Sequence, residues 1–139
     1  YYDVQADYLS GRKEIPFMAK HRAFINLSYA TPKTQKGGFW AFNSTLNWVG
    51  KQRLPNTQSN PAEYKLPSYS SPYMILNAQV SKNFNEKIRA YFGAENLTNK
   101  VQYQAIIDSQ NPFGNYFDAS MIYAPIMPRN FYIGFDFEF

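Results

Sequence analysis

The sequence contains 139 residues, of which 19 % are aromatic and only 17 % are charged, and its formal net charge is +4. Average soluble domains carry roughly 25 % charged residues, so this composition is typical of a protein whose surface does not face water everywhere. The lack of cysteine excludes disulfides and thiolate chemistry, the scattered basic residues disfavour a nucleic-acid surface, and no apolar run reaches the length of a transmembrane helix.

Apolar and polar residues alternate along most of the chain. This is the pattern of β-strands, because successive side chains of a strand point to opposite faces. Nothing repeats at helical spacing over three turns. The alternation therefore predicts no helix and six strands, which cover residues 1–10, 21–30, 39–51, 73–82, 87–98 and 129–139.

The last predicted strand shows the alternation most clearly. Every second residue is apolar, and most are aromatic: Phe131, Ile133, Phe135, Phe137 and Phe139. Asp136 and Glu138 lie between them. A soluble sheet would bury the phenylalanines in a core, whereas a membrane barrel would expose them to lipid and turn the carboxylates towards a wet lumen.

The connections between the predicted strands differ systematically in length. Residues 11–20, 52–72 and 99–128 form the longer connections, and they alternate with the shorter ones at residues 31–38 and 83–86. Outer-membrane barrels have short turns on the periplasmic side and longer loops outside, so this sorting favours a membrane barrel. A soluble β-sandwich shares the period of two and stays the alternative.

The stretch from Tyr91 onward closely resembles the C-terminus of TonB-dependent outer-membrane receptors. The resemblance rests on Gly93-Ala-Glu-Asn-Leu-Thr-Asn99, on Pro125-Ile-Met-Pro-Arg129 and on a last strand that ends in Phe139. Upstream, Phe17-Met-Ala-Lys-His-Arg22 resembles an earlier segment of the same barrels. The loop at residues 111–120 is similar to receptors of the Bacteroidetes group.

This resemblance implies an all-β fold, namely a segment of an antiparallel transmembrane β-barrel that contributes about six of roughly 22 strands. Residues 1–139 would form the C-terminal part of that barrel, without the plug domain and the earlier strands. The implied function is TonB-dependent import of a scarce solute, such as a ferric siderophore, haem or cobalamin, across the Gram-negative outer membrane. The implied partners are the rest of the receptor, membrane lipid, TonB through the N-terminal part, and the outer-membrane assembly machinery.

The connection at residues 99–128 is the candidate ligand-contacting region, because long loops with dense aromatics are usually functional. Its candidate residues are Tyr103, Asp108, Phe113, Tyr116, Phe117, Asp118 and Tyr123. The loop is either a lid over the ligand or a surface that packs against a neighbouring loop or a surface lipoprotein.

Two further sets of candidates lie on the strands. The residues predicted to face the lumen are Arg89, Tyr91, Glu95, Asp136 and Glu138. Carboxylates opposite arginines are better explained as lumen ion pairs or plug contacts than as a general acid and base. The resemblance also implies an assembly signal formed by Phe135, Phe137 and Phe139.

No cofactor is predicted, and His21, the only histidine, argues against a metal cluster. Two rival function classes stay open. A passive porin or an adhesin-like barrel would share the strands but lack a plug, and a soluble β-sandwich binding module would need no detergent. An enzyme is the class with least support.

Overall fold

The computed structural model describes residues 1 and 3–139. Its seven strands are β1 (Gln5–Tyr8), β2 (Gly11–Glu14), β3 (Arg22–Ala30), β4 (Phe39–Val49), β5 (Tyr73–Asn83), β6 (Ile88–Glu95) and β7 (Asn130–Phe137). A single 3-10 turn, Ala62–Tyr64, is the helical element of the described chain. No helix among the described residues is long and apolar enough to cross a bilayer. The predicted all-β, antiparallel fold is confirmed.

Strands β3 to β7 form a five-stranded sheet in which each strand pairs with its neighbours in sequence. The register between the last two strands, β6 and β7, places Ala94 opposite Phe131 and Phe92 opposite Ile133. Directly opposed residues of an antiparallel pair point to the same face, so the apolar positions of both strands share one face and the intervening positions share the other. Hereafter these are the apolar face and the polar face of the sheet.

The N-terminal region differs from the prediction. Strand β1 is shorter than the predicted strand over residues 1–10, and it pairs with β2, which lies in the predicted loop at residues 11–20. Gly11 has φ +95°, a left-handed conformation that lets the chain reverse tightly after Tyr8. The exposed, charged β2 carries no apolar alternation, which is why its composition suggested a loop. Tyr2, which the prediction placed in the first strand, lies outside the described residues.

The chain divides into two compact units. The loop unit consists of Tyr1–Ala23, Trp48–Tyr73 and Val101–Ile126. The sheet unit consists of Phe24–Asn47, Met74–Lys100 and Met127–Phe139. The predicted long connections therefore come together in one unit, which buries a small core of Ala19, Leu54, Ile107, Met121 and Ala124.

The sheet unit exposes its apolar face instead of burying it. Leu27 keeps 67 % of its surface exposed, Ile133 keeps 71 % and Phe137 keeps 63 %. A β-sandwich would cover this face with a second sheet. The strands at both edges, β3 and β7, have one neighbour each within the described chain. This arrangement is typical of a piece of barrel wall whose apolar side faces lipid.

Candidate functional site

The polar face of strands β6 and β7 contains an ion pair. Arg89 is paired with Asp136 in the strand register, and its Nη1 lies 3.6 Å from the Asp136 Oδ2. The guanidinium also lies 5.4 Å from the ring centroid of Tyr91. Both charged side chains are about half exposed, so their attraction adds little stability in water. The pair instead places a positive charge on β6 directly beside a negative charge on β7.

Two tyrosines on the polar face each cover a glycine of the neighbouring strand. Tyr132 is paired with Gly93, and Tyr91 is paired with Gly134. The two rings meet edge to face with centroids 6.3 Å apart, and the Tyr132 hydroxyl donates a hydrogen bond of 3.0 Å to the Gln79 side chain. Each ring occupies the space that a Cβ on the opposite glycine would need. The glycines therefore let the tyrosines lie flat on the sheet.

The other two predicted lumen-facing residues make weaker contacts. Glu95 is exposed and lies opposite Asn130 in the register, on the same face as Arg89. Glu138 follows β7, and its backbone N–H donates to the Lys87 carbonyl over 2.9 Å. Within the described residues neither glutamate forms an ion pair, so Arg89 and Asp136 make the ion pair of this face and the two glutamates add negative charge beside it.

A cluster of amides and hydroxyls extends the polar face across β3 and β4. Asn26 donates to Asn43 over 3.2 Å and to Thr45 over 2.6 Å, while Asn43 donates to Ser28 over 3.1 Å. These residues were absent from the predicted lumen-facing set, although the alternation had placed them on the polar side of their strands. Apart from Arg22 at the start of β3, the polar face is thus uncharged on β3 and β4, whereas it is charged at β6 and β7.

The loop unit contains an open pocket of about 380 Å³ next to the turn Ala62–Tyr64. Tyr103 and Asp108, two of the predicted ligand-contacting residues, line it together with Tyr64. The Tyr64 hydroxyl donates to Asp108 Oδ1 over 3.1 Å, and the Asn111 amide donates to the same oxygen over 2.7 Å. Burial, followed by the nearby Asp108 carboxylate, raises the pKa of Tyr64 above its usual value.

The remaining candidates of the loop divide into exposed aromatics and residues that hold the backbone. The Tyr116 ring lies 5.7 Å from that of Tyr64, and Phe113 is fully exposed. Phe117 is also exposed. Asp118 Oδ1 accepts hydrogen bonds from the backbone N–H of Ser120 over 2.7 Å and from its hydroxyl over 2.6 Å. The backbone of Asp118 also forms an isolated antiparallel β-bridge with Ile107.

The backbone carbonyl of Tyr123 accepts hydrogen bonds from Gln52 over 2.9 Å and from the Tyr73 hydroxyl over 3.1 Å. This ties the loop at residues 99–128 to two points of the segment Trp48–Tyr73 of the loop unit. Pocket residues and anchoring residues of the loop are therefore distinct: Tyr103, Asp108 and Tyr116 lie at or beside the pocket, whereas Asp118 and Tyr123 organise the backbone.

Gln102 is the most connected side chain of this loop, and the sequence did not single it out. Gln102 is buried. Its Nε2 donates hydrogen bonds to the Met121 carbonyl over 2.6 Å and to the Gln104 carbonyl over 3.1 Å. Its Oε1 accepts from the backbone N–H groups of Tyr123 over 2.9 Å and of Ala124 over 3.1 Å. One amide therefore closes the loop between residues 102 and 124.

The pocket offers phenol, carboxylate and amide groups that can hydrogen-bond a polar solute, with aromatic rings beside them. The described residues contain no group of three or more histidines, cysteines or acidic residues that could hold a metal ion. The chemistry of the loop unit suits binding of a solute by hydrogen bonds and ring contacts.

An antiparallel sheet with an exposed apolar face, a hydrogen-bonded polar face and its long connections gathered in one unit defines a wall segment of an outer-membrane β-barrel. The chain belongs to the family described as TonB dependent receptor-like, beta-barrel, whose model matches residues 1–97. This is a family of outer-membrane transport receptors. Comparison with curated proteins gives no significant match, and comparison with solved structures gives none either.

The family match and the resemblance seen in the sequence overlap only in part. The match ends at Leu97, whereas much of the resemblance came from Pro125-Ile-Met-Pro-Arg129 and the final strand. The two share Phe17-Met-Ala-Lys-His-Arg22 and the first part of Gly93-Ala-Glu-Asn-Leu-Thr-Asn99. The family assignment therefore does not depend on the terminal aromatic strand alone.

Proposed function

We propose that the chain is part of an active importer that takes up a scarce solute, such as a ferric siderophore, haem or cobalamin, with energy supplied through TonB. The observation that carries the proposal is the pocket beside Tyr64 and Asp108, in the unit that gathers the long connections of a receptor-family barrel. Long loops of outer-membrane barrels lie outside the cell, where the solute is first met. The sheet would supply the wall around a plug.

In this proposal the two faces of the sheet have separate tasks. The polar face, with Arg89, Asp136 and the Asn26 cluster, would contact the plug or the passing solute. The edges at β3 and β7 would pair with further strands of a barrel of about 22 strands, because unpaired edges are prone to aggregation. Residues 1–139 would then form the C-terminal part of the barrel wall.

Uptake by the complete receptor tests the proposed import. Cells would be given radiolabelled iron on a hydroxamate or catecholate siderophore, labelled haemin, or labelled cyanocobalamin, with and without TonB. At least one probe should accumulate only when TonB is present. Deleting residues 104–122, which removes Asp108, Phe113, Tyr116 and Phe117, should lower that uptake about tenfold, equivalent to roughly 1.4 kcal/mol of binding.

The surface level and the heat-modifiable mobility of the deletion variant on gels serve as controls for a folded barrel. Uptake that does not require TonB would replace active import by a passive porin. Unchanged uptake after the deletion would remove the ligand-contacting role of the loop and favour packing against a neighbouring loop or a surface lipoprotein.

We also propose that Phe135, Phe137 and Phe139 act in assembly of the barrel. All three are exposed on the apolar side of the last strand or directly after it, so they are available to the assembly machinery. Phe139→Ala in the complete receptor should lower the amount of assembled barrel more than it lowers solute affinity. Quantitative blotting of outer membranes measures the first effect, and probe binding per assembled barrel measures the second.

Phe113→Ala is the matched control, because Phe113 is another fully exposed phenylalanine but lies in the loop unit. It should leave the assembled level unchanged. Equal membrane levels of the Phe139→Ala variant and the unmodified receptor would refute the assembly role.

A further inference from the structure

The apolar face of the sheet contains a groove of about 650 Å³. Small residues from three neighbouring strands line it, namely Ser44, Ala78 and Ala94. Larger rings flank them, among them Phe92 and Phe131, which stack with centroids 6.1 Å apart and planes 9° from parallel. A groove of this size falls within the range of roughly 300–1,000 Å³ that is usual for small-molecule sites. Its apolar lining suits a hydrocarbon chain.

A lysine lies on the same face, two residues beyond the groove residue Val80. Lys82 is half-buried, and the register pairs it with Ala90 of the apolar face. Its ammonium lies 4.9 Å from the ring centroid of Trp40, and the Trp40 ring stacks on Phe42, which lines the groove, with centroids 6.4 Å apart. Contact with the indole face holds the cation at a defined place beside the groove.

The position of Lys82 along its strand corresponds to a membrane boundary. Strand β5 has 11 residues, and a tilted barrel strand needs about 9–11 residues to cross the hydrocarbon core. Ala78 is at the middle of this strand, whereas Lys82 is the last residue but one. The neighbouring short connections add three lysines and one glutamate, namely Lys33, Lys36, Lys87 and Glu86. Glu138, which follows β7, lies at the same end, so with Lys82 this end of the sheet has four lysines against two glutamates and is predominantly positive.

We propose that this face holds one anionic phospholipid, with an acyl chain in the groove and its phosphate on Lys82. The positive charge at the end of the groove complements the phosphate, and the small residues give the chain room beside the aromatic rings. Short turns of outer-membrane barrels face the periplasm, so the lipid belongs to the periplasmic leaflet. The occupant is thus a phospholipid rather than a lipopolysaccharide of the outer leaflet.

Native mass spectrometry of the complete receptor in detergent tests this site. Added phosphatidylglycerol should be retained as one molecule per barrel, in preference to phosphatidylethanolamine. Lys82→Ala should lower that retention about fivefold, the effect expected for one lysine near an anionic lipid surface. Lys13→Ala, which removes an exposed lysine of β2 in the loop unit, is the matched control and should leave retention unchanged.

A second variant tests the groove without altering its charge. Ser44→Leu should fill the groove and lower retention as well, while heat-modifiable gel mobility verifies that the barrel has folded. Retention by the Lys82→Ala variant equal to that of the unmodified receptor would overturn the proposal. So would equal retention of the two lipids, retention of added lipopolysaccharide in place of phosphatidylglycerol, or full retention by Ser44→Leu.

Discussion

Gly93→Ala is expected to destabilise the barrel by about 1–3 kcal/mol, the usual cost of overpacking a filled site. The backbone of Gly93 does not need glycine for its φ, but a Cβ there would overlap the ring of Tyr132. The ring would have to move, and its hydrogen bond to Gln79 would be lost. Unfolding of the complete receptor in guanidinium, followed by tryptophan fluorescence, measures the change. Gly134→Ala should behave similarly, because its Cβ would overlap the ring of Tyr91.

The matched control places Gly93→Ala in a Tyr132→Ala background. Without the Tyr132 ring, its overlap with the new methyl group is removed. Gly93→Ala should therefore cost less than about 0.5 kcal/mol in this background, and the effects of Gly93→Ala and Tyr132→Ala on stability should be strongly non-additive. An equal cost of Gly93→Ala in both backgrounds would show that the loss arises from the strand itself. The ring over the glycine would then have no part in it.

Gln102→Ala is expected to loosen the loop at residues 99–128. The substitution leaves the N–H groups of Tyr123 and Ala124 and the carbonyl of Met121 without their partner. Each buried group left unpaired costs about 1–3 kcal/mol, so the loop should lose roughly 2–6 kcal/mol of local stability even if water reaches one of them. Hydrogen exchange of residues 102–126 in the complete receptor measures this loss, and limited proteolysis provides an independent readout.

Gln104→Ala is the control for this prediction. Gln104 is exposed, and Gln102 contacts its backbone carbonyl, which alanine retains. Exchange in the loop should therefore stay unchanged. Gln102→Glu should give an intermediate result, because it retains the acceptor oxygen and loses the donor. Equal exchange in the Gln102→Ala and Gln104→Ala variants would show that other contacts hold the loop.

The faces of the central strands were readable from the sequence because side-chain direction in a strand is a local property. The alternation of Phe131, Ile133, Phe135 and Phe137 predicted the apolar face that the structure exposes. It also placed Asp136 on the opposite face, but the alternation alone could not select Arg89 as its partner. That pairing depends on the register between two strands, which the hydrogen-bonded ladder establishes.

The N-terminal hairpin shows where local patterns mislead. Strand β2 consists of Gly11, Arg12, Lys13 and Glu14, so it has neither apolar alternation nor β-branched residues. It is a strand because the turn after Tyr8 brings it beside β1, where backbone hydrogen bonds replace those to water. The alternation of a strand reports which of its side chains are buried, and a strand as exposed as β2 gives no such signal.

By itself, the sequence determined the class of fold, the two faces of the sheet and the segments that form its connections, because alternation and turn composition act over a few residues. Only the tertiary structure decided which loop residues meet. Gln102 contacts residues about 20 positions away, and Tyr64 meets Asp108 from a different connection. Such contacts depend on the path of the whole chain. They hold the loop at residues 99–128 in place and form the pocket beside Tyr64 and Asp108.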